Sequence, residues 1–348
     1  MMNLRQLGRC ALDIRNDNRK RPLHQDGKIS YANWCAADPA EYWFTHFIRH
    51  YFDEKDLPQA IRFYSVFGPK NTVKEPFDGV KIFYSGENLE EFTRYDATPI
   101  REVSDVVWHV RKRKFDRYGF GETMLSMAFP AAEDLGRLEK GKTHYLRFPL
   151  WIAYLFDPES DREGIDRKIE EINRQANPVS CEGIACIASH DFYGTRQAIC
   201  NELEQSGAAI QYAGKWRHNT DVLQEKFGDD KLAYLKSVRF NICPENTDTK
   251  NYVTEKLFDA FRTGVIPIYH GSGNDPEPGL INKDAVLFWD YNGKGKADNA
   301  AVISKIHELS ADDRAYRDFM RQEKLTKACA DYVWQCMAAL REELKKIL

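Results

Sequence analysis

The sequence predicts an α/β protein made of two successive units, each with parallel strands between helices. Apolar runs of strand length, such as GIACIASH, alternate with segments whose apolar residues recur at helical spacing. This alternation is typical of a parallel sheet covered by helices. The 348 residues are too many for one ordinary domain and enough for two. A charged, turn-rich stretch at 157–164 separates the two alternations and is the predicted linker.

The first unit is predicted at 27–157, after a polar and basic arm at 1–26 that we expect to be poorly ordered. KISYANW predicts a strand and EYWFTHFIRHYF an amphipathic helix, followed by strands in IRFYSVFG and VKIFYSGEN. ETMLSMAF is a further candidate strand. HYLRFPLWIAYLF predicts a helix that is interrupted near Pro149.

The second unit is predicted at 165–315. Its predicted helices are IDRKIEEINRQA and TRQAICNELEQSG, and its predicted strands include GIACIASH, AAIQYAG, VIPIY and AVLFWD. DKLAYLKSVRFNIC predicts a helix that leads into another strand. Residues 316–348 predict a C-terminal helical segment. The apolar side of its last helix consists of Val333, Trp334, Met337, Leu340, Leu344 and Ile347. Such a helix usually docks on its own protein, and peripheral contact with a membrane is the alternative.

Composition excludes several classes of partner. The net charge of -3 and the pI of about 6.3 argue against nucleic acid as the main partner, because proteins that bind its phosphates usually have an excess of Lys and Arg. None of the eight cysteines forms a CxxC pair, so neither a disulfide framework nor a zinc site is predicted. The first residues contain no apolar core of signal-peptide length, and no segment approaches the roughly 20 apolar residues of a membrane span. We therefore expect a cytoplasmic protein.

A polar loop and helix in NICPENTDTKNYVTEKLFDAFRTG carry the first candidate site. Asn251 is the predicted N-cap, and Gly264 lies where a helix ends. Tyr252, Glu255 and Lys256 would then share one face in the first turns, beside N–H groups that favour an anion. From spacing alone, an ordinary exposed helix face with a Glu and a Lys is the commoner structure.

Two further residues could carry chemistry. Arg196 follows the strand GIACIASH near a helix start, where a guanidinium can bind phosphate through two hydrogen bonds. Glu87 follows the strand VKIFYSG, and partial desolvation there would raise its pKa toward that of a general base. The alternative for Arg196 is an ordinary surface arginine on a helix. The alternative for Glu87 is a glutamate in a loop or at a helix cap. The sequence has no GxGxxG after a strand, no P-loop lysine motif, no HExxH and no Asp-x-Asp pair.

The stretch from Asn241 to Gly271 resembles the donor-binding motif of the α1,3-fucosyltransferases, the bacterial enzymes in particular. CPEN, NYVTEK and VIPIYHG follow one another in the order of that motif. NWCAADPAEYWFTHFI, FYSVFG, VKIFYSGEN, HYLRFPLW and IASHDFYGTR also agree in order with the family. The resemblance covers Lys28 to Asp290 with one large interruption, and residues 92–123 look like an insertion.

The resemblance implies a GT-B architecture, in which two Rossmann-like domains face a cleft. The acceptor would bind to the first domain and GDP-fucose to the second. The implied reaction is inverting transfer of L-fucose from GDP-fucose to a GlcNAc or glucose hydroxyl, with an α1,3 linkage most consistent with the family. An oligosaccharide or glycolipid acceptor of N-acetyllactosamine or lactose type would give Lewis-type glycans. GDP-fucose is then a substrate, no cofactor is required, and stimulation by a divalent metal stays open.

The motifs also imply residue roles. Glu87 resembles the general base, while Arg196 and Lys256 resemble the pair that neutralises the leaving pyrophosphate. Tyr252 and Glu255 resemble donor contacts. Further substrate contacts implied by the motifs are Ser189, Gly214, Lys215, Glu245 and Asn246, with Trp34 on the acceptor side. A GT-B transferase with another nucleotide-sugar, or a non-catalytic glycan-binding protein, is the alternative function.

Overall fold

The computed structural model describes residues 21–35, 39–88, 122–132, 144–191, 193–291 and 298–348. The chain forms two compact units. One contains the described residues up to Ser160 together with Val333–Leu348, and the other is Asp161–Tyr332. The boundary falls within the predicted linker at 157–164. The predicted insertion at 92–123 lies outside the described residues except for its last two positions.

The first unit contains a six-stranded sheet whose strands follow chain order. The strands are β1 (His24–Asp26), β2 (Ile29–Ala32), β3 (Ala60–Tyr64), β4 (Gly79–Tyr84), β5 (Leu125–Ala128) and β6 (His144–Arg147). β2 to β6 pair in parallel, whereas β1 is antiparallel to β2. The expectation of a poorly ordered arm through residue 26 is wrong for β1, because the turn at Gly27 (φ 61°) pairs His24 with Tyr31.

Helices α1 (Pro39–Tyr51) and α2 (Leu150–Leu155) belong to this unit, with a 3₁₀ turn at Lys70–Lys74. The single interrupted helix predicted around Pro149 is wrong. His144–Arg147 instead pairs with β5 as strand β6, and Pro149 caps the beginning of α2. The proline has no N–H to donate and keeps the residue before it extended, so strand and helix meet there.

The second unit contains a five-stranded parallel sheet in the order β11-β10-β9-β7-β8. Its strands are β7 (Ile184–Cys186), β8 (Ile210–Tyr212), β9 (Phe240–Ile242), β10 (Ile266–Tyr269) and β11 (Leu287–Phe288). The chain adds β8 on one side of β7 and then crosses to the other side for β9. This reversal creates a topological switch point between β7 and β9, where ligands bind in open α/β sheets.

Helices connect and cover these strands. They are α3 (Arg162–Arg174), α4 (Thr195–Gln205), α5 (Val222–Phe227), α6 (Lys231–Leu235), α7 (Glu255–Thr263), α8 (Ala300–Ala311) and α9 (Asp313–Met320), with 3₁₀ turns at Ser272–Asn274 and Lys283–Ala285. α7 ends at Gly264 in the left-handed conformation (φ 74°), as predicted. Its apolar side, which includes Leu257 and Phe261, is fully buried.

A buried guanidinium anchors the beginning of β9. Arg239 is 4% exposed and donates to the carbonyl oxygens of Cys181 (3.0 Å), Leu309 (3.0 Å) and Ser310 (2.9 Å). It also donates to Asp313 Oδ1 at 3.2 Å. These bonds fix the strand whose other end carries the site described below.

The last helix, α10 (Lys327–Ile347), begins in the second unit and continues in the first from Val333 onward. The predicted division into 165–315 and 316–348 therefore differs from the structural units. Val333, Met337, Leu340 and Leu344 on its apolar side are at most 1% exposed, because this side packs inside the protein. None of the helices in the described part of the chain combines the length and the hydropathy that a membrane crossing requires.

Candidate active site

A cavity of about 180 Å³ lies at the switch point of the second unit. It is lined by residues that follow β7 and β9 and by the beginnings of α4, α6 and α7. Its lining residues are Ile187, Ala188, Ser189, His190, Arg196, Lys231, Asn241, Ile242, Cys243, Asn246, Glu255 and Lys256. Three cationic side chains thus meet where the fold places ligands, so the cavity suits an anion.

Arg196 is the second residue of α4, whose N-cap is Gly194 in the left-handed conformation (φ 76°). The residue is 9% exposed, and its guanidinium donates to His190 O (3.5 Å), Pro244 O (3.4 Å) and Asn246 Oδ1 (3.2 Å). All three acceptors are neutral and the bonds are long. The arginine is therefore held at the cavity by weak bonds that an anionic ligand can replace with stronger, charge-assisted ones.

Lys256 lies in the first turn of α7, where it donates to Thr254 Oγ1 (2.8 Å) and Glu245 Oε2 (3.2 Å). Burial opposes its positive charge. The attraction of Glu245 and Glu255 outweighs that penalty and raises the pKa of Lys256 well above its usual value. The lysine is therefore a permanent cation at physiological pH.

Glu255 precedes Lys256, and its Oε1 lies 3.7 Å from Lys256 Nζ. Burial raises the pKa of this carboxyl, but Lys256 and Lys231 together outweigh burial and lower it. Glu255 is thus an anion on the cavity wall. A carboxylate in this position can accept hydrogen bonds from sugar hydroxyl groups.

A larger cavity of about 630 Å³ adjoins the first and shares Ile187, Ala188 and Ser189 with it. Gly214 and Lys215, both predicted from the motif resemblance, line this second cavity. A Cβ on Gly214 would lie 2.4 Å from the carbonyl oxygen of Ala188, so only glycine lets these backbones approach so closely. The site therefore consists of two adjoining cavities: a small one lined by cationic side chains and a larger one that contains Gly214 and Lys215.

His218 and Asp221 lie on the wall of the larger cavity. His218 Nε2 lies 2.9 Å from Asp221 Oδ1, and His218 Nδ1 lies 3.0 Å from the Gly214 carbonyl oxygen. The hydrogen bond with Asp221, assisted by the Gly214 carbonyl, raises the pKa of His218.

Two predicted residues occupy different positions from those expected. Helix α7 begins at Glu255 with Thr254 as its N-cap, and Asn251 has φ 64°. Tyr252 therefore precedes the helix, is 2% exposed and lines neither cavity. The prediction of one helix face shared with Glu255 and Lys256 is wrong, and a donor contact through Tyr252 stays a prediction.

Glu245 is the second such residue. Its side chain is fully buried beneath the cavity wall, whereas Asn246 lines the cavity. The predicted contact of Glu245 with a transferred sugar stays a prediction that burial does not favour, while Asn246 lies where a ligand can reach it.

The two site residues predicted in the first unit follow parallel strands at their carboxyl ends. Glu87 comes three residues after β4 and is partly exposed, and its N–H donates to Ser85 Oγ at 3.1 Å. Trp34 comes after β2 and is 2% exposed, with its ring 5.0 Å from that of Tyr31 and 5.9 Å from that of Tyr84. Trp34 is a core residue at the strand ends, so its acceptor contact stays a prediction that burial does not favour.

Sequence reasoning missed three polar residues of the smaller cavity. Lys231 reaches it from α6 and is paired with Asp259 Oδ2 at 2.7 Å. Asn241 lies within β9 and Cys243 directly after it, and burial raises the pKa of the Cys243 thiol. The available signal was the polar Asn241 inside the strand sequence RFNIC, since a polar side chain buried in a strand needs a hydrogen-bond partner.

No group of three or more His, Cys, Asp or Glu side chains that could hold a metal ion occurs within the described ranges.

Two parallel α/β units in one chain, with a cationic cavity at the switch point of the second, define a protein of the GT-B fold class. A solved α1,3-fucosyltransferase with GDP has the same fold, at a TM-score of 0.51 and 17% identity over 96% of each chain. The predicted fold class is thereby confirmed.

Family models match both units. The model "Glycosyltransferase family 10 (fucosyltransferase) C-term" matches residues 180–344, and "Alpha-(1,3)-fucosyltransferase FucT N-terminal domain" matches residues 29–105. The chain belongs to this family of fucosyltransferases.

Segments of this chain are also similar to proteins that are named as fucosyltransferases. The chain is 31% identical over 109 residues to Alpha-(1,3)-fucosyltransferase B of Drosophila melanogaster and 49% identical over 99 residues to Alpha-(1,3)-fucosyltransferase FucT of Helicobacter pylori. It is also 30% identical over 131 residues to GDP-fucose protein O-fucosyltransferase 3 of Xenopus laevis. These segments cover 31%, 28% and 36% of this chain but only 23%, 19% and 27% of the relatives.

Proposed function

We propose that this chain transfers L-fucose from GDP-fucose to a hydroxyl group of an acceptor glycan, with inversion at the anomeric carbon. The observation that carries the proposal is the convergence of Arg196 and Lys256 on one cavity at the switch point. Membership in the fucosyltransferase family and the GDP-bound enzyme of the same fold support GDP-fucose as the donor. We assign GDP-fucose to the second unit.

The reaction breaks the bond between fucose C1 and the β-phosphate oxygen, and that oxygen leaves with the electron pair. Negative charge grows on the diphosphate as the bond lengthens, so fixed cations beside it lower the barrier. Arg196 and Lys256 supply two such cations, and the N–H groups at the beginnings of α4 and α7 add partial positive charge. Lys256 stays charged throughout, so it acts electrostatically.

The acceptor hydroxyl forms the new bond to fucose C1 and must lose its proton. We assign this proton to the carboxylate of Glu87 in the first unit, at the carboxyl end of β4. Attack from the face opposite the diphosphate inverts the anomeric configuration. Each catalytic cycle then yields a fucosylated acceptor, GDP and one proton.

The two adjoining cavities suit the two ends of a nucleotide-sugar. The small cationic cavity is assigned to the diphosphate and fucose, where Asn246 and Glu255 can bond to hydroxyl groups. The larger cavity, with Ser189, Gly214 and Lys215 on its wall, is assigned to the nucleoside. A volume of about 630 Å³ is within the range of small-molecule sites.

For the acceptor, we propose an N-acetyllactosamine or lactose type of glycan, fucosylated in α1,3 linkage to give Lewis-type products. The names of the Drosophila and Helicobacter relatives support this linkage. The test is GDP release by the purified chain with GDP-fucose and N-acetyllactosamine, with linkage analysis of the product by NMR. Assays with Mg²⁺ and with EDTA address the divalent-metal question.

Glu87→Gln is the decisive variant because the amide has nearly the shape of the carboxylate but cannot take a proton. We expect kcat to fall by roughly 10²–10⁴-fold while the Kd for GDP-fucose is unchanged. Glu75→Gln, at an exposed position of the same unit, is the matched control. Wild-type protein that binds UDP-sugars or CMP-sugars more tightly than GDP-fucose would overturn the donor assignment.

A second candidate acceptor is a protein hydroxyl group. The 30% identity to the frog GDP-fucose protein O-fucosyltransferase 3 favours it. Donor chemistry would be the same, and only the acceptor would differ. Folded protein domains with exposed Ser and Thr hydroxyl groups, assayed beside the glycan and analysed by peptide mass spectrometry, separate the two candidates.

A further inference from the structure

We propose that Glu245 is a positioning residue for this reaction, which holds Lys256 charged and directed at the cavity without contacting the donor. The inference rests on the proposed function, because it takes the diphosphate as the ligand of Lys256. It assigns to Glu245 a role different from the sugar contact that the motif suggests.

The carboxylate of Glu245 is buried and fully engaged. Its Oε1 accepts hydrogen bonds from the Thr254 N–H (2.8 Å) and the Tyr269 hydroxyl (3.4 Å). Its Oε2 accepts from the Thr254 hydroxyl (2.7 Å) and from Lys256 Nζ (3.2 Å). The side chain has no exposed surface, and Glu245 does not line the cavity. Four donors therefore converge on a carboxylate that a ligand cannot reach.

The hydrogen-bond directions form one consistent chain. Lys256 can only donate, so it donates to Thr254 Oγ1 at 2.8 Å as well as to Glu245. The Thr254 hydroxyl in turn donates a hydrogen bond to Glu245 Oε2. Two of the three ammonium N–H donors are thus fixed, and the third is left for a ligand in the cavity that Lys256 lines. The same carboxylate orients the lysine and fixes the first residue before α7.

Space for this carboxylate is built into the neighbouring strand end. A Cβ on Gly271 would lie 2.8 Å from Cγ and 2.9 Å from Cβ of Glu245. The Glu245 N–H donates to the carbonyl oxygen of His270 at 2.8 Å, which fixes its backbone beside the same segment. The Glu245 side chain is therefore confined between the end of β10 and the beginning of α7.

The arrangement predicts a pH signature. Charged or titratable groups face Lys256 from the elements around the cavity: Glu245, Glu255, Arg196, Lys231 and His190. Of these, Glu245 is the carboxylate that accepts a hydrogen bond from the ammonium. Removing its charge lets burial and Arg196 lower the pKa of Lys256. The lysine then loses its proton at a lower pH than in the wild type, and affinity for a diphosphate falls as the pH rises.

The experiment is calorimetric titration with GDP at pH 7, 8, 9 and 10, comparing wild type with Glu245→Gln. We expect the variant to bind GDP about tenfold more weakly at pH 7, and the ratio of the two Kd values to grow further toward pH 10. Using the ratio cancels the titration of GDP itself. Glu204→Gln, a partly buried carboxylate bonded to Tyr212 and Arg217 and outside both cavities, should leave the ratio near one at every pH.

Thr254→Val and Thr254→Ser keep the test informative if Glu245→Gln does not fold. Valine removes the bridging hydroxyl and should weaken GDP binding, whereas serine should restore it. A Kd ratio for Glu245→Gln that stays near one or does not change with pH, in folded protein, overturns the inference, and so does wild-type GDP affinity in Thr254→Val. Absence of GDP binding by the wild type would instead overturn the proposed function.

Discussion

Lys256 Nζ lies 3.2 Å from Oε2 of Glu245, a carboxylate whose side chain has no exposed surface. The two residues belong to different segments, since Glu245 follows β9 and Lys256 is the second residue of helix α7. Burying such a pair gains little net stability because both charges lose water. The pair is better explained by the cavity beside it, which needs one fixed cation at a defined place.

Lys256→Ala tests the cation directly. We expect GDP affinity to fall by roughly 10–100-fold, because one charge-assisted contact to the diphosphate is lost. We also expect unfolding free energy to fall by about 3 kcal/mol, because Glu245 becomes a buried, unpaired carboxylate. Calorimetry and urea denaturation measure the two effects. Lys283→Ala, whose exposed lysine pairs with Asp275, is the control and should change neither quantity appreciably.

Arg196→Lys keeps the positive charge but removes the planar guanidinium. We expect kcat to fall by about 10²-fold, since a lysine cannot make two parallel bonds to a phosphate group. Steady-state GDP release is the measurement. Arg217→Lys, in a partly buried pair with Glu204, is the matched control. Equal kcat values for Arg196→Lys and wild type would show that charge alone suffices at this position.

Gly214→Ala tests the connection between the two cavities. The new Cβ would lie 2.4–2.5 Å from backbone atoms of Ala188, so the loop after β8 must move away from the end of β7. We expect a loss of about 2 kcal/mol in stability and about tenfold in GDP affinity. In Gly273→Ala the Cβ meets nothing within 4 Å, and only its φ of 62° is unfavourable. That variant should lose about 1 kcal/mol and keep its affinity.

Arg239→Met tests the anchor of β9. We expect unfolding free energy to fall by about 4 kcal/mol, because the carbonyl oxygens of Cys181, Leu309 and Ser310 lose their buried donor. Urea denaturation measures the loss. Arg314→Met changes an arginine side chain that is 87% exposed and should stay within about 0.5 kcal/mol of wild type. A similar small change in Arg239→Met would contradict the anchoring role.

The buried Lys324 side chain is expected to make the stability of the folded protein depend on pH. It is 4% exposed and donates to the Asn173 carbonyl oxygen at 3.2 Å, and burial lowers its pKa to about 8. The folded state therefore binds this proton less tightly than the unfolded state, in which the lysine has its ordinary pKa of 10.5. This group destabilises the fold below about pH 8, and the penalty disappears as pH rises through the window to 10.5.

Lys324→Met should therefore stabilise the protein at pH 7, by about 3 kcal/mol if the whole penalty is removed. The gain should shrink toward pH 10. Urea denaturation at pH 7, 8.5 and 10 checks both statements. A variant that is less stable than wild type at pH 7 would show that the bond to Asn173 outweighs the cost of burying the charge.

The sequence by itself determined the alternation of strands and helices and several of their ends. Apolar runs predicted β7, β9 and β10, and helical spacing predicted α3 and α4, because these patterns act over a few neighbouring residues. Gly264 ends α7 as predicted, since only glycine adopts its φ of 74° without strain. The order of the motifs along the chain was also sufficient to indicate the family and to identify Arg196 and Lys256 as candidate site residues.

Only the tertiary structure decided which polar residues reach the cavity and which are buried. Helix α7 begins at Glu255 and not after Asn251, because the N–H and hydroxyl of Thr254 bond to Glu245 from another segment. Lys231 reaches the same cavity from α6. Local patterns fix periodicity and caps, but the partner of a buried charge depends on which strand ends the sheet brings together.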